Sequence, residues 1–180
     1  MQGTAIAQPN IALIKYWGKR DIERNLPAVG SISITLRDLH TRMSVEFDDA
    51  LAADTLTVND VPDVRMLPRL SACLDRVAGK NRPRAHILST CNFPIAAGLA
   101  SSASSFAALT VAAAEASGQS MSTPELASLA GRASGSAARS LLGGFVELRN
   151  TDDDIEVSKL CAAEEWPVTV VVAITETGPK

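Results

Sequence analysis

The sequence predicts an α+β fold, a mixed sheet with helices packed on one face. Three observations carry that expectation. Short β-prone runs fill the first half, alanine-rich helical periodicity dominates the middle, and strand-like runs return toward the end. The order is therefore strands, helix, strand, helices, strands, with no internal repeat or low-complexity linker to divide it. A chain of 180 residues is long enough to bury one sizeable core, so residues 1–180 are read as one unit.

Ala5–Tyr16, Ser31–Leu36, Arg42–Phe47 and Thr55–Val58 are the early strands, several with alternating apolar residues. Asp48-Asp49 and Asn59-Asp60 supply turn chemistry. A helix is expected over Val64–Ala78, where Val64, Leu67, Leu70, Leu74, Val77 and Ala78 follow helical spacing and Gly79 marks the stop. Arg65, Arg69, Arg76 and Lys80 line its polar side, a solvated face or a basic lip over an anion. Ala85–Thr90 is the next strand and feeds a turn at Phe93–Gly98. The helix from Ser101 to about Ser117 is rich in small residues, which predicts close packing against a helix or sheet. Thr123-Pro124-Glu125 opens another helix, a cap residue followed by Pro at the first position, ending near Arg132. Gly143–Arg149 and Val168–Thr175 read as strands, the second apolar enough to be buried on both faces. Asp152-Asp153-Asp154 reads as a solvated turn.

Composition narrows the function. Apolar residues make up 46% and charged residues 21%, as in an ordinary globular protein. The net charge of −3 argues against nucleic-acid binding, which calls for a basic face. No stretch approaches the ~20 apolar residues of a membrane helix, and Met1 leads into no signal peptide. Cys73, Cys91 and Cys161 are far apart, which fits a reduced compartment without a disulfide framework. A cytoplasmic protein is expected.

Residues 94–105, Pro-Ile-Ala-Ala-Gly-Leu-Ala-Ser-Ser-Ala-Ser-Ser, are the most informative stretch. A small, glycine-containing turn runs into a serine cluster and then a helix. The first turn of a helix presents unpartnered N–H groups and the positive end of the macrodipole. Small residues let phosphates approach that backbone, while hydroxyls add donors and potential metal ligands. The competing reading is an ordinary helix start capped by Ser101 or Ser102.

Three other segments stand out. In Pro9-Asn10-Ile11-Ala12-Leu13-Ile14-Lys15-Tyr16-Trp17-Gly18-Lys19-Arg20 a strand ends in an aromatic pair and a basic cluster. With Arg24, these cations suit recognition of an anionic small molecule, although a strand end with solvated lysines would look similar. Asn25–Leu36 reads only as a turn entering a strand. In Ala133-Ser134-Gly135-Ser136-Ala137-Ala138-Arg139-Ser140-Leu141-Leu142-Gly143-Gly144, if Ser136 starts a helical turn, Arg139 lies one turn on and faces the same side. Ser134, Ser136 and Arg139 can then close around a carboxylate or phosphate; the alternative is a flexible connector with a surface arginine.

Together, Ile-Lys-Tyr-Trp-Gly-Lys-Arg, Ser-Ile-Ser-Ile-Thr-Leu, Gly-Leu-Ala-Ser-Ser-Ala-Ser and Ser-Gly-Ser-Ala-Ala-Arg-Ser-Leu-Leu-Gly-Gly-Phe resemble the diphosphomevalonate decarboxylase family of the GHMP kinase superfamily. The serine loop is shared across the superfamily; the lysine-aromatic and Ser-Gly-Ser-x-x-Arg runs point to the decarboxylase branch. The resemblance implies the GHMP kinase N-terminal domain, ATP and Mg²⁺ as cofactors, and mevalonate diphosphate as substrate. It implies phosphorylation of the 3-hydroxyl, then loss of phosphate and CO₂ to give isopentenyl diphosphate.

Carried over by position, the resemblance places Gly98, Leu99, Ala100, Ser101, Ser102 and Ser104 at the ATP phosphates, with Ser102 as a possible Mg²⁺ ligand. It places Tyr16 and Lys19 at the substrate, with Lys19 near the transferring phosphate, and Ser134, Gly135 and Ser136 at the diphosphate. Arg139 engages the carboxylate. Ala138 stands where cysteine is usual in that family. The chain resembles the family's N-terminal half, and no acidic residue here occupies the motif of its catalytic aspartate. The implied consequence is little or no decarboxylase activity for these 180 residues alone, and a homodimer for the full-length enzyme. Sister enzymes acting on mevalonate or its monophosphate, and a non-catalytic ligand-binding half, share the same frame.

Overall fold

The computed structural model describes residues 1–15, 18–95 and 97–173. In chain order the strands are β1 (Gln2–Ala7), β2 (Asn10–Ile14), β3 (Lys19–Asp21), β4 (Leu26–Pro27), β5 (Ser31–Thr35) and β6 (Thr41–Asp48). They continue as β7 (Thr55–Val58), β8 (Val61–Pro62), β9 (Arg84–Cys91), β10 (Phe145–Asn150) and β11 (Ile155–Cys161). The helices are α1 (Leu67–Ala78), α2 (Ser101–Ala116) and α3 (Thr123–Ala133), and a 3₁₀ turn spans Ala137–Leu141.

The expected α+β arrangement is present. A five-stranded sheet runs β1-β6-β9-β7-β8, mixed because β7 and β9 are parallel while its other pairs are antiparallel. A four-stranded antiparallel sheet, β11-β10-β5-β2, accompanies it, together with the β3–β4 hairpin. The proposed strand Ala5–Tyr16 is two strands in two sheets. Pro9 follows β1 and cannot donate to a ladder; beyond it β2 joins the second sheet.

Alternation fixes the faces. On β6, Thr41, Met43, Val45 and Phe47 point inward while Arg42 and Glu46 are exposed; on β9, Ala85, Ile87 and Ser89 are buried between exposed neighbours. Leu70, Cys73, Leu74 and Val77 of α1 meet this face. Helix α2 is dominated by small apolar residues, and eleven of its sixteen residues are buried. Its small residues serve the close packing expected of them. A Cβ built on Gly3 of β1 would lie 2.2 Å from the Ala112 carbonyl oxygen and 2.6 Å from the Ala116 nitrogen. Backbone atoms cannot swing aside, so Gly3→Val is expected to lower stability by about 3 kcal/mol, read as an earlier urea midpoint at unchanged m-value.

A buried ion pair ties α1 to the sheet. Arg82 reaches Asp54 through two parallel bonds of 2.9 and 2.7 Å, and its Nε lies 2.9 Å from Asp75. Burial pushes the Asp54 carboxyl up, but bonds from Arg82, Ser71 and the Ala85 N–H outweigh it and hold the group at about 2.

Several boundaries differ from expectation. Helix α1 begins at Leu67 rather than Val64, because Asp63 Oδ1 accepts from the Arg65 and Met66 N–H groups and closes a turn first. The cap of α3 is Ser122, not Thr123, and Glu125 Oε2 accepts from both the Ser122 N–H and its hydroxyl. Strand β10 starts at Phe145, after Gly144 with φ of 87°. Strand β11 has no counterpart in the sequence reading. The expected buried strand Val168–Thr175 does not form over 168–173, and residues 174–180 lie outside the described residues. A strand needs ladder partners for its backbone groups; 168–173 has no ladder pairing among the described residues, and Val171 is 86% exposed. Among the described residues, no helix is long and apolar enough to cross a membrane.

Candidate functional site

Arg139 sits in the 3₁₀ turn, only 1% exposed. Ser136 opens that turn, and the Arg139 N–H donates to its carbonyl at 3.3 Å. The guanidinium is spread across two strands. Its Nε donates to Ser33 Oγ at 2.9 Å, Nη1 to Ser31 Oγ, and Nη2 to Asn10 Oδ1 at 3.3 Å. Ser31 and Ser33 lie two residues apart on β5, so both hydroxyls share one face. Asn10 of β2 turns its amide the other way, donating to the Ser136 carbonyl at 2.9 Å and Ser140 Oγ at 2.7 Å. One buried polar network thus joins β2, β5 and the 3₁₀ turn. Buried polar groups persist where they are hydrogen-bonded, and this network holds the fork in a fixed plane.

Ser134 and Ser136 are half-buried beside it, with Gly135 between them. Ser134 ends α3: its N–H donates to the Ala130 carbonyl, and its own carbonyl accepts from Ala137. The turn expected from Ser136 to Arg139 is present, as a 3₁₀ rather than an α turn.

The serine loop forms a second group. Asn92 fastens its entry, accepting from the His40 N–H at 2.7 Å and donating to the Asp38 carbonyl at 2.8 Å. Gly98 has φ of 83° with open space around its Cβ position. Ala100 at the helix boundary is left-handed, φ 54° and ψ 39°, and no side chain caps α2. A non-glycine residue pays roughly 1–2 kcal/mol for that conformation. Ser101 and Ser102 therefore lie inside the helix and do not cap it. Both are half-buried, whereas Ser104 is fully buried. Its hydroxyl is 2.7 Å from Thr41 Oγ1 and donates to the Ser101 carbonyl at 3.1 Å. Open space at Gly98 beside an uncapped helix start is what a phosphate chain needs, so these residues fit ATP.

Lys19 is exposed on the β3–β4 hairpin. Tyr16, the other substrate residue expected from this segment, lies outside the described residues. The rest of the expected basic cluster divides. Arg20 donates to the Asp152 and Asp154 carbonyls at 3.1 and 2.7 Å, and Arg24 donates to the Asp153 carbonyl. These two cations hold the acidic turn.

Asn10, Ser31 and Ser33 were not singled out as functional from the sequence. The period-2 placement of two serines, alternating with isoleucines in Ser-Ile-Ser-Ile-Thr, is the local signal for Ser31 and Ser33. Nothing local marked Asn10, whose partners lie more than a hundred residues away.

The diphosphomevalonate decarboxylase-like N-terminal domain family matches residues 7–159. The diphosphomevalonate decarboxylase of Eremothecium gossypii is 41% identical over 181 residues, 89% of this chain and 46% of that protein. The solved mevalonate diphosphate decarboxylase from Enterococcus faecalis superposes with a TM-score of 0.83 at 36% identity, over 92% of this chain and 53% of that one. A complex of MDDEF with MVAPP, AMPPCP and magnesium superposes at 0.82 and 36% identity, over 92% of this chain and 52% of that one. The chain spans about half the length of the relatives it matches. With residues 7–159 matched to that N-terminal domain and the α+β frame superposing on solved decarboxylases, the chain belongs to the diphosphomevalonate decarboxylase-like family.

Proposed function

We propose that residues 1–180 form the ATP- and substrate-binding half of a cytoplasmic, homodimeric enzyme. It converts mevalonate 5-diphosphate and ATP to isopentenyl diphosphate, ADP, phosphate and CO₂. The observation that carries this reading is the buried Arg139 fork, held by neutral oxygens of Ser31, Ser33 and Asn10. A carboxylate replacing the long Asn10 bond would exchange a neutral acceptor for a charged one, and charge-assisted bonds are roughly twice as strong.

ATP bound with Mg²⁺ supplies the phosphoryl group that turns the substrate's 3-hydroxyl into a leaving group. The N–H groups of Ser101 and Ser102, with the backbone at Gly98, Leu99 and Ala100, hold its phosphates. The Ser102 hydroxyl would serve as a ligand to the metal, and Ser104 braces the same turn from behind through Thr41. The Lys19 ammonium neutralises charge on the transferring phosphate, as phosphoryl transfer demands, and Tyr16 lines the substrate. Ser134, Gly135 and Ser136 receive the diphosphate. When the C–O bond to the 3-phosphate breaks, its electron pair leaves with phosphate. The electrons of the C–C bond to the carboxylate then form the alkene and CO₂ departs. Arg139 keeps that carboxylate aligned for elimination.

The test is to supply the full-length enzyme with ATP, Mg²⁺ and either mevalonate, its 5-phosphate or its 5-diphosphate, measuring ADP and CO₂ together. One CO₂ per ADP with the diphosphate is the expected result. ADP without CO₂ would overturn the decarboxylase reading, and turnover confined to the monophosphate would overturn the substrate. Ser102→Ala is expected to raise the KM for ATP about tenfold, about 1.4 kcal/mol of binding, with little change for mevalonate diphosphate. Sedimentation of the full-length enzyme checks the dimer.

A further inference from the structure

The acidic turn and the two arginines that grip it have no part in the chemistry above. Lys19 is carried on the exposed strand of a short hairpin whose other strand, β4, is buried through Leu26; packing anchors β4, but it leaves β3 to be held by polar contacts. That hairpin is tied down at each end. Arg20, next to Lys19, spans the acidic turn by donating to the Asp152 carbonyl at 3.1 Å and the Asp154 carbonyl at 2.7 Å. Arg24 takes the intervening carbonyl of Asp153. At the far end Asn25 donates to the Gly131 carbonyl at 2.9 Å, and Asn150 donates to the Pro27 carbonyl at 2.9 Å. The turn is itself rigid. The Asp154 carboxylate accepts from Ser128 at 2.6 Å and Arg132 at 3.1 Å, and the Thr151 N–H donates to the Asp154 carbonyl at 2.9 Å.

We propose that Arg20 and Arg24 are positioning residues: they latch the Lys19 hairpin onto the 152–154 turn and thereby set where the ammonium stands. The inference rests on the role of Lys19 proposed above. Three consecutive backbone carbonyls make the receptor, so geometry rather than net charge matters. A lysine at position 20 keeps the charge but lacks the planar fork that bridges two carbonyls. The aspartate side chains at 152 and 153 are exposed and lie outside the latch. The bonds are exposed, so losing them costs the fold little, whereas small misplacement of a reacting group can cost orders of magnitude in rate.

The experiment compares Arg20→Ala/Arg24→Ala, Arg20→Lys and Asp152→Asn/Asp153→Asn in the full-length enzyme with mevalonate 5-diphosphate, ATP and Mg²⁺. The double alanine variant is expected to lower kcat about tenfold or more with the KM for ATP unchanged. Arg20→Lys should show much of that loss, and the asparagine variant should turn over normally. In a Lys19→Ala background the arginine substitutions should add nothing further, since both act through one ammonium. Additive losses, or a normal Arg20→Lys rate, would overturn the latch. Full activity in Lys19→Ala would instead overturn the role of Lys19. A readout independent of catalysis is amide exchange: the double variant should exchange at least tenfold faster across Lys19–Leu26 with β10 and β11 unchanged, and unaltered protection refutes the latch whatever the enzyme does.

Discussion

Arg139→Ala in the full-length enzyme is expected to lower CO₂ release about a thousandfold, in the range seen when a preorganised transition-state donor is removed. The residue is 1% exposed, so substitution also leaves Ser31, Ser33 and Asn10 without the donor they share. Unmade bonds to buried groups cost about 1–3 kcal/mol each, and thermal melting must therefore accompany the kinetics. Arg139→Lys separates the two contributions. It keeps the positive charge but cannot reach three acceptors in one plane, so it should fold better than the alanine variant and remain strongly impaired. Near-normal CO₂ release by either folded variant would remove Arg139 from the chemistry.

Asp54→Ala is expected to destabilise the protein by about 3 kcal/mol, because it takes away the carboxylate that binds a buried guanidinium through two bonds. Arg82 would lose both of its short bonds to Asp54, keeping the ion pair to the partly exposed Asp75. Urea unfolding followed by circular dichroism measures the loss, and a change below about 1 kcal/mol, the scale of a surface pair, would show that the pair does not support the fold. The same carboxylate gives an acid limb. Its pKa lies at about 2 in the fold, below the ordinary aspartate value of 3.8, so its contribution is complete above about pH 4 and disappears as pH falls toward 2. That shift amounts to about 2 kcal/mol. Asp54→Asn should flatten this part of the stability profile, whereas an unchanged acid slope would assign it to other carboxylates.

The parts of the fold legible in the sequence were those with local signals. Helix α2 announced itself by composition, and β5, β6, β7 and β9 by alternation between turns. Spacing alone left the Ser136–Arg139 segment open between a helical turn and a Gly/Ser-rich connector; it is a 3₁₀ turn. What escaped depended on partners distant in sequence. Strand β11, Ile-Glu-Val-Ser-Lys-Leu-Cys, carries too weak an alternation to stand out, and exists because β10 offers it a ladder along Phe145–Asn150. The run at 168–173 shows the converse: strong β propensity gives no strand without a neighbour. At the site, local sequence marks Arg139 but not its neighbours. Ser31, Ser33 and Asn10 act through contacts that only the assembled sheet creates, and Ser104 was grouped with Ser101 and Ser102 by sequence although the helix turns it inward.

On the proposed function, a hydroxyl-lined helix start, an ammonium and a guanidinium grip two polyanions side by side. A crystal structure of the full-length enzyme with mevalonate 5-diphosphate and a non-hydrolysable ATP analogue tests it most directly. The substrate carboxylate is expected about 3 Å from the Arg139 guanidinium, the nucleotide phosphates at the Ser101 and Ser102 N–H groups at hydrogen-bond distance, and Lys19 between them. Ligands bound with Arg139, Lys19 and Ser102 on unconnected surfaces would contradict it.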